Sequence, residues 1–266
     1  MQGGKAGRHD EMTLYSDPQI LLAALVAVAL VGLSKGGLGG AFALMGVPVL
    51  ALVMPPVQAA ALLLPILLMM DAVSLWAWRG WFSRSVLRAM LPAAVLGIVL
   101  GWAAAAWTSD AAVRLMVGVV ALGFVARMVW VQWLAAAAPP AGHRPGAAWA
   151  WGTTAGFTSF VAHAGGPPFQ VYTLPMQMDP RLYTGTSVVF FAVVNAVKVG
   201  PYAALGLFDA RLALSALVML PLAAAAVLIG AALVKRMRAS VFYPFMYAMV
   251  ALVGARLVHD GITGLI

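Results

Sequence analysis

Two lysines and one aspartate stand inside long apolar stretches of this chain, close to two glycine-rich interruptions. Lys35 lies within GLSKGGLGG, Gly32 to Gly40, and His163 opens HAGGPP, His163 to Pro168. A charged side chain at membrane depth costs on the order of 2.5–3.5 kcal/mol on insertion scales, so residues kept there at that cost are candidates for function. Lys35 is the leading candidate to contact an anion, unless its long side chain snorkels to one surface. Lys198, one turn from Asn195, could share the same cavity wall, with snorkelling as its alternative too. Asp71 is far from either end of its run and too short to snorkel. It either pairs with Lys35 or Lys198 as a structural salt bridge, or binds a proton and couples transport to proton movement, with Asn195 at the matching position of a second run.

The interruptions supply a second kind of chemistry. Backbone groups freed at membrane depth find no partner in lipid and are tolerated where they line a cavity. Gly36, Gly37, Gly39 and Gly40 precede a half-helix expected near Ala41, and Gly165 and Gly166 precede one near Pro167 or Pro168. Proline suits the first turn of a helix, where its missing donor would be unpaired anyway. Two such half-helix N-termini facing each other would form an anion site. The alternative is that these glycines only permit close helix packing. His163 could donate to an anion or respond to pH, or be a hydrogen-bonded histidine at a helix end. Thr158 and Ser159 could supply hydroxyl donors, although buried hydroxyls commonly bond to a carbonyl of their own helix.

Catalytic patterns are weak by comparison. Ser159 and His163, four residues apart, could be drawn as nucleophile and base, but no acid stands nearby to orient them and no GxSxG turn surrounds the serine. The sequence has no H-E-x-x-H, no phosphate loop and no cysteine, so thiolate metal sites and disulfides are excluded, and no metal or other cofactor is implied.

The elements that must hold these residues follow from composition. Of 266 residues, 64% are hydrophobic and 9% charged, against about 25% charged in a soluble domain. A soluble globular protein is excluded. The net charge of +8 is spread in single residues and short clusters between apolar runs, as in cytoplasmic loops and not as on a nucleic-acid-binding face. Apolar runs of about 17 to 25 residues recur without strand-like alternation, so the chain reads as an all-α polytopic membrane protein. Among the runs are Val57 to Trp78, Leu182 to Leu205 and Leu212 to Val234. The stretch from Ile20 to Met54 would be roughly 52 Å as one helix, too long for one ~30 Å crossing, so it turns back or crosses twice. The tryptophans, Trp76, Trp78, Trp81, Trp102 and Trp107 among them, sit near run ends and read as interfacial anchors.

The two halves resemble each other at an offset of about 126 residues, a pattern common in secondary transporters. Pro48 matches Pro175, Asp71-Ala72-Val73 matches Asn195-Ala196-Val197, Leu91-Pro92 matches Leu220-Pro221, and Gly101 matches Gly230. The expected division is a polar extension over residues 1–17, a first transmembrane repeat over 18–134, a Pro/Gly linker over 135–146 and a second repeat over 147–266. A removable signal peptide is not expected. Arg79, Arg84, Arg88, Arg144, Arg181, Lys235, Arg236 and Arg238 fall on one side, which the positive-inside rule makes cytoplasmic. Both termini then face outward and the repeat is inverted. The expected partners are a small anionic substrate and the lipid bilayer, with no nucleic acid, in a monomer or homodimer.

The break GLSKGGLGGAFALMGVPVL, the matching GFTSFVAHAGGPPFQVYTLP and the shared Asp/Asn-Ala-Val helix give the sequence a resemblance to the TauE/SafE family of sulfite and sulfonate exporters. The resemblance implies about eight membrane helices, with each broken pair counted as one element. It also implies a bacterial inner-membrane location and transport of sulfur-containing anions such as sulfite or organosulfonates. The expected mechanism is alternating access, with an anion channel-like pore in the same fold, a membrane-embedded enzyme and a scaffold subunit as alternatives.

Overall fold

The computed structural model describes residues 14–38, 42–43, 45–54, 56–104, 107, 109–134, 141–162, 164–204 and 210–265. Among them no strand occurs. Helix α1, Pro18–Leu33, starts with Pro18 in its first turn and Asp17 as cap, the Gln19 N–H donating to Asp17 Oδ1 at 2.8 Å. It runs into a kinked segment, Ser34–Leu38, in which Gly37 leaves helical geometry at φ 130°, a conformation open to glycine. Beyond this first break come α2, Gly46–Ala51, α3, Pro56–Ala77, α4, Arg84–Ala104, and α5, Asp110–Leu134. The second half opens with α6, Pro145–Ala162, and the short α7, Gly166–Thr173, which ends in a 3₁₀ turn, Leu174–Met176. It continues with α8, Pro180–Ala204, α9, Ala210–Val218, α10, Leu220–Arg236, and α11, Ala239–Thr263.

Among the described residues, five stretches are long and apolar enough to cross a membrane: Pro18–Leu38, Arg84–Ala104, Asp110–Trp130, Pro180–Gly200 and Ala239–Thr263. Their outer faces expose Leu22, Trp102, Val119 and Leu252, as lipid contact requires. The interior holds two main apolar groups. One gathers Val28, Leu62, Ile66, Met70 and Val227, and the other Met90, Ile98, Phe169, Phe190 and Phe242.

The run from Leu212 to Val234, expected as one helix, is divided at Met219. Pro221 stands in the first turn of α10, where its missing N–H costs nothing, whereas one helix through this point would lose the bond to Leu217. The matching Pro92 is accommodated inside α4.

Contacts between the halves repeat when the halves are exchanged. Helix α4 lies along α6 as α10 lies along α1, α8 touches α4 as α3 touches α10, α5 pairs with α11 and α3 with α8. Glycines set these approaches. A Cβ added to Gly101 would meet the Phe157 carbonyl and Phe160, and one added to Gly230 would meet the Leu33 carbonyl and Gly36. Gly156 abuts the Ala94 carbonyl, as Gly32 abuts Ala223 and Ala226. Small residues let membrane helices approach backbone to backbone, where dispersion and weak polar contacts accumulate.

Gly156→Ala therefore forces α6 away from α4 and is expected to destabilise the fold by about 1–3 kcal/mol. Gly123→Ala in α5, where an added Cβ meets nothing within 4 Å, is the matched control. Thermal unfolding in detergent checks this, with a lower midpoint for the first variant and no loss for the second.

Candidate functional site

Two charges inside the helical body meet where α1 gives way to the first break. Lys35 Nζ is 2.5 Å from Asp71 Oδ1, and their side chains are 15% and 6% exposed. The other carboxylate oxygen, Asp71 Oδ2, accepts from Asn195 Nδ2 at 2.7 Å. Asp71 thus joins the first break to α3 and, through Asn195, to α8. Lys35 pairs within the protein and does not snorkel. Of the two partners open to Asp71 from sequence, the structure selects Lys35.

One turn from Asn195, Lys198 is 3% exposed and reaches the end of α6 near the second break. Its ammonium donates to the Ser159 carbonyl at 3.3 Å and to Ser159 Oγ at 3.1 Å. Among the described residues no carboxylate lies within ion-pair distance of Lys198. Lys35, Asp71 and Asn195 therefore form one bonded group at the first break and Lys198 and Ser159 a second at the other, one helical turn apart on α8; together they are called the polar chain. With both lysines protonated and Asp71 ionised, its net charge is +1.

The first break is also held by side chains that donate to its backbone. Ser74 Oγ, fully buried, donates to the Lys35 carbonyl at 3.1 Å, and Trp78 Nε1 donates to the Gly36 carbonyl at 3.0 Å. They satisfy acceptors that the kink would leave bare. Lys235 in turn donates to the Ala77 carbonyl at 2.7 Å and stands 5.1 Å above the Trp78 ring. Trp78 is 1% exposed, which corrects its reading as an interfacial anchor, while Trp76, Trp102 and Trp107 are exposed as expected. Gly36 and Gly37 are packed against α10 and Thr184, so neither has room for a side chain.

At the second break, Thr158 Oγ1 donates to the Thr154 carbonyl at 2.8 Å and the Ala164 carbonyl at 3.2 Å, and the Ala164 N–H donates to the Thr158 carbonyl at 3.0 Å. Thr158 clamps the break with its hydroxyl taken up by backbone. Gly165 is pressed against Ala155 and Ser159, and Gly166 begins α7 with open space beside it. Gly39, Gly40, His163 and the half-helix start expected near Ala41 lie outside the described residues.

Sequence reasoning passed over Ser74, Trp78 and Gln170. Gln170 on α7 is 5% exposed, with its Oε1 lacking a hydrogen-bond partner. Ser74 was open to detection, since it follows Asp71 by three residues as Lys198 follows Asn195.

The match to known proteins covers this whole site. The family model described as Sulfite exporter TauE/SafE matches residues 24–257, a span that contains both breaks and every member of the polar chain. No curated protein and no solved structure gives a match.

Removing one partner of a buried ion pair leaves the other uncompensated, at a cost of about 3–5 kcal/mol. Lys35→Ala is expected to lower the thermal midpoint strongly, and the double change Lys35→Ala with Asp71→Ala to recover much of the loss. Unfolding of the wild type, the two single variants and the double variant checks this, and additive losses would contradict the pairing.

Proposed function

This chain belongs to the TauE/SafE sulfite exporter family, and from that premise we propose that it is a secondary transporter exporting small sulfur-containing anions, sulfite or organosulfonates. The observation that carries the proposal is the buried polar chain of two lysines and a single aspartate. With both lysines protonated and Asp71 ionised, the buried site has net charge +1 and favours an anion over a neutral or cationic solute, because Coulomb interactions are far stronger at low effective dielectric than in water. Lys198 is the primary contact, since its present partners are neutral, and Lys35 is the second. Ser159 and the amides of Gly36, Gly37, Gly165 and Gly166 complete the proposed site.

Alternating access follows from two inverted halves rocking about this fixed site, a mechanism common where transporters carry internal repeats and broken helices. The exchange-related packing of the halves supports that reading. The full assignment is eight membrane elements in a bacterial inner membrane, with both termini outward. Asp71 is the coupling residue. Protonating it breaks the pair with Lys35 and raises the charge of the site, so proton occupancy and anion affinity are linked. The membrane potential adds a driving force for anion loss from a negative interior of ~2.3 kcal/mol per charge per 100 mV.

Uptake of radiolabelled sulfite into everted vesicles, with sulfate, sulfoacetate and taurine as competitors, tests the proposal. Wild-type vesicles should show saturable uptake that responds to an imposed proton gradient. Lys198→Ala should raise KM by about tenfold or more, the loss of one charge-assisted hydrogen bond. Asp71→Asn should keep uptake down a sulfite gradient and lose the response to protons. Wild-type transport by Lys198→Ala would contradict the assignment.

A further inference from the structure

The polar chain is built twice from the same plan, with its residue types traded between the halves. Asp71 and Asn195, the matched pair of α3 and α8, are 124 residues apart and bond directly to each other. The same offset carries Lys35 onto Ser159 and Ser74 onto Lys198, and it also aligns Gly32 with Gly156 and Ser34 with Thr158. The structure makes the corresponding contact in each half. Ser74 donates to the carbonyl of Lys35, 39 residues before it, and Lys198 donates to the carbonyl of Ser159, also 39 residues before it. In the first half the ammonium is on the broken helix and the hydroxyl on the helix that follows. In the second half the hydroxyl is on the broken helix and the ammonium on the helix that follows.

A contact between two equivalent residues lies on the axis that relates them, which places the Asp71–Asn195 bond at the centre of a two-fold arrangement. Asp and Asn have the same shape, so the centre is symmetric in form and asymmetric in charge. The exchange-related packing of α4 on α6 and α10 on α1 extends the same symmetry to the surrounding helices.

We propose that the transport site consists of two interchangeable half-sites, Lys35 with Ser74 and Lys198 with Ser159, which hold one oxyanion between their ammonium groups. This rests on the transporter reading given above. The ligand class is an anion with several equivalent oxygens on one centre, such as sulfite or the head of a sulfonate, because each ammonium then takes its own oxygen. Ser74 and Ser159 are positioning residues. In each half a donor on the second helix bonds the backbone of the broken one, and that bond sets where the ammonium of the half lies. What each half must supply is one ammonium and one hydroxyl, on either of the two helices.

The test moves the ammonium within a half. Sulfite KM and kcat in vesicles, and the thermal midpoint in detergent, are measured for K35S, S74K and the interchange K35S/S74K, and for K198S and its mirror interchange S159K/K198S. Each serine-for-lysine change alone is expected to raise KM about tenfold or more, and K35S to lower the midpoint by leaving Asp71 without a cation. Each interchange is expected to bring KM back to within about threefold of wild type, and K35S/S74K to restore the midpoint. An interchange that stays as impaired in KM as the single lysine loss while its midpoint is normal overturns the proposal, as does a K35S/S74K midpoint no higher than that of K35S. If wild-type vesicles take up no sulfite, the transporter reading fails by itself, and the midpoints alone decide between interchange and none.

Discussion

The pairing of Lys35 with Asp71 is the contact on which the rest of the structure turns. Neither charge is tolerable alone in the interior of a membrane protein, and the cost of each is offset only by the other and by the hydrogen bonds around them. Asp71 has both oxygens occupied, one by Lys35 and one by Asn195, so α1, α3 and α8 are tied at one point. Bringing Lys35 there requires α1 to stop short and its backbone to turn. The kink at Gly37, with φ 130°, makes that turn, and Ser74 and Trp78 satisfy the carbonyls it frees.

The glycines serve the same end from outside. Gly36 and Gly230 meet across α1 and α10, and Gly156 meets the Ala94 carbonyl across α6 and α4. Each approach holds a broken helix against the other half of the chain, so the breaks are anchored by packing while their polar groups point inward. A transporter needs such a division. The site must be polar enough to hold an anion, and the helices must stay apolar enough to remain in lipid and to shift against one another. Lys198, buried and held by Ser159 alone among the described residues, is the group that the proposed site offers to its substrate.

Much of this was legible in the sequence because charge in an apolar chain is rare. Lys35, Asp71 and Lys198 stand out by type, and the two breaks stand out by their Gly-Gly and Pro-Pro pairs. The membrane class and helical content follow from composition, and the family from the motifs at the breaks. The choice of Lys35 as the partner of Asp71 was not legible, since side chains 36 residues apart meet only through helix packing. Trp78 was misread for a related reason. Its position at the end of a run fits an interfacial anchor, and only the path of α1 brings Gly36 to its indole. Ser74 looked like an ordinary helix serine until the repeat placed it opposite Lys198. The division between α9 and α10 was hidden because Pro92, at the matching position, sits inside a continuous helix.

The central claim is that a small oxyanion binds between Lys35 and Lys198. Selenite has the shape and charge of sulfite and scatters anomalously, so crystals of the purified protein soaked in selenite locate the ligand directly. The account predicts one anomalous peak within hydrogen-bond reach of both ammonium groups, lost when sulfite is added in excess. A peak elsewhere that sulfite displaces, with the space between the lysines empty, would contradict it.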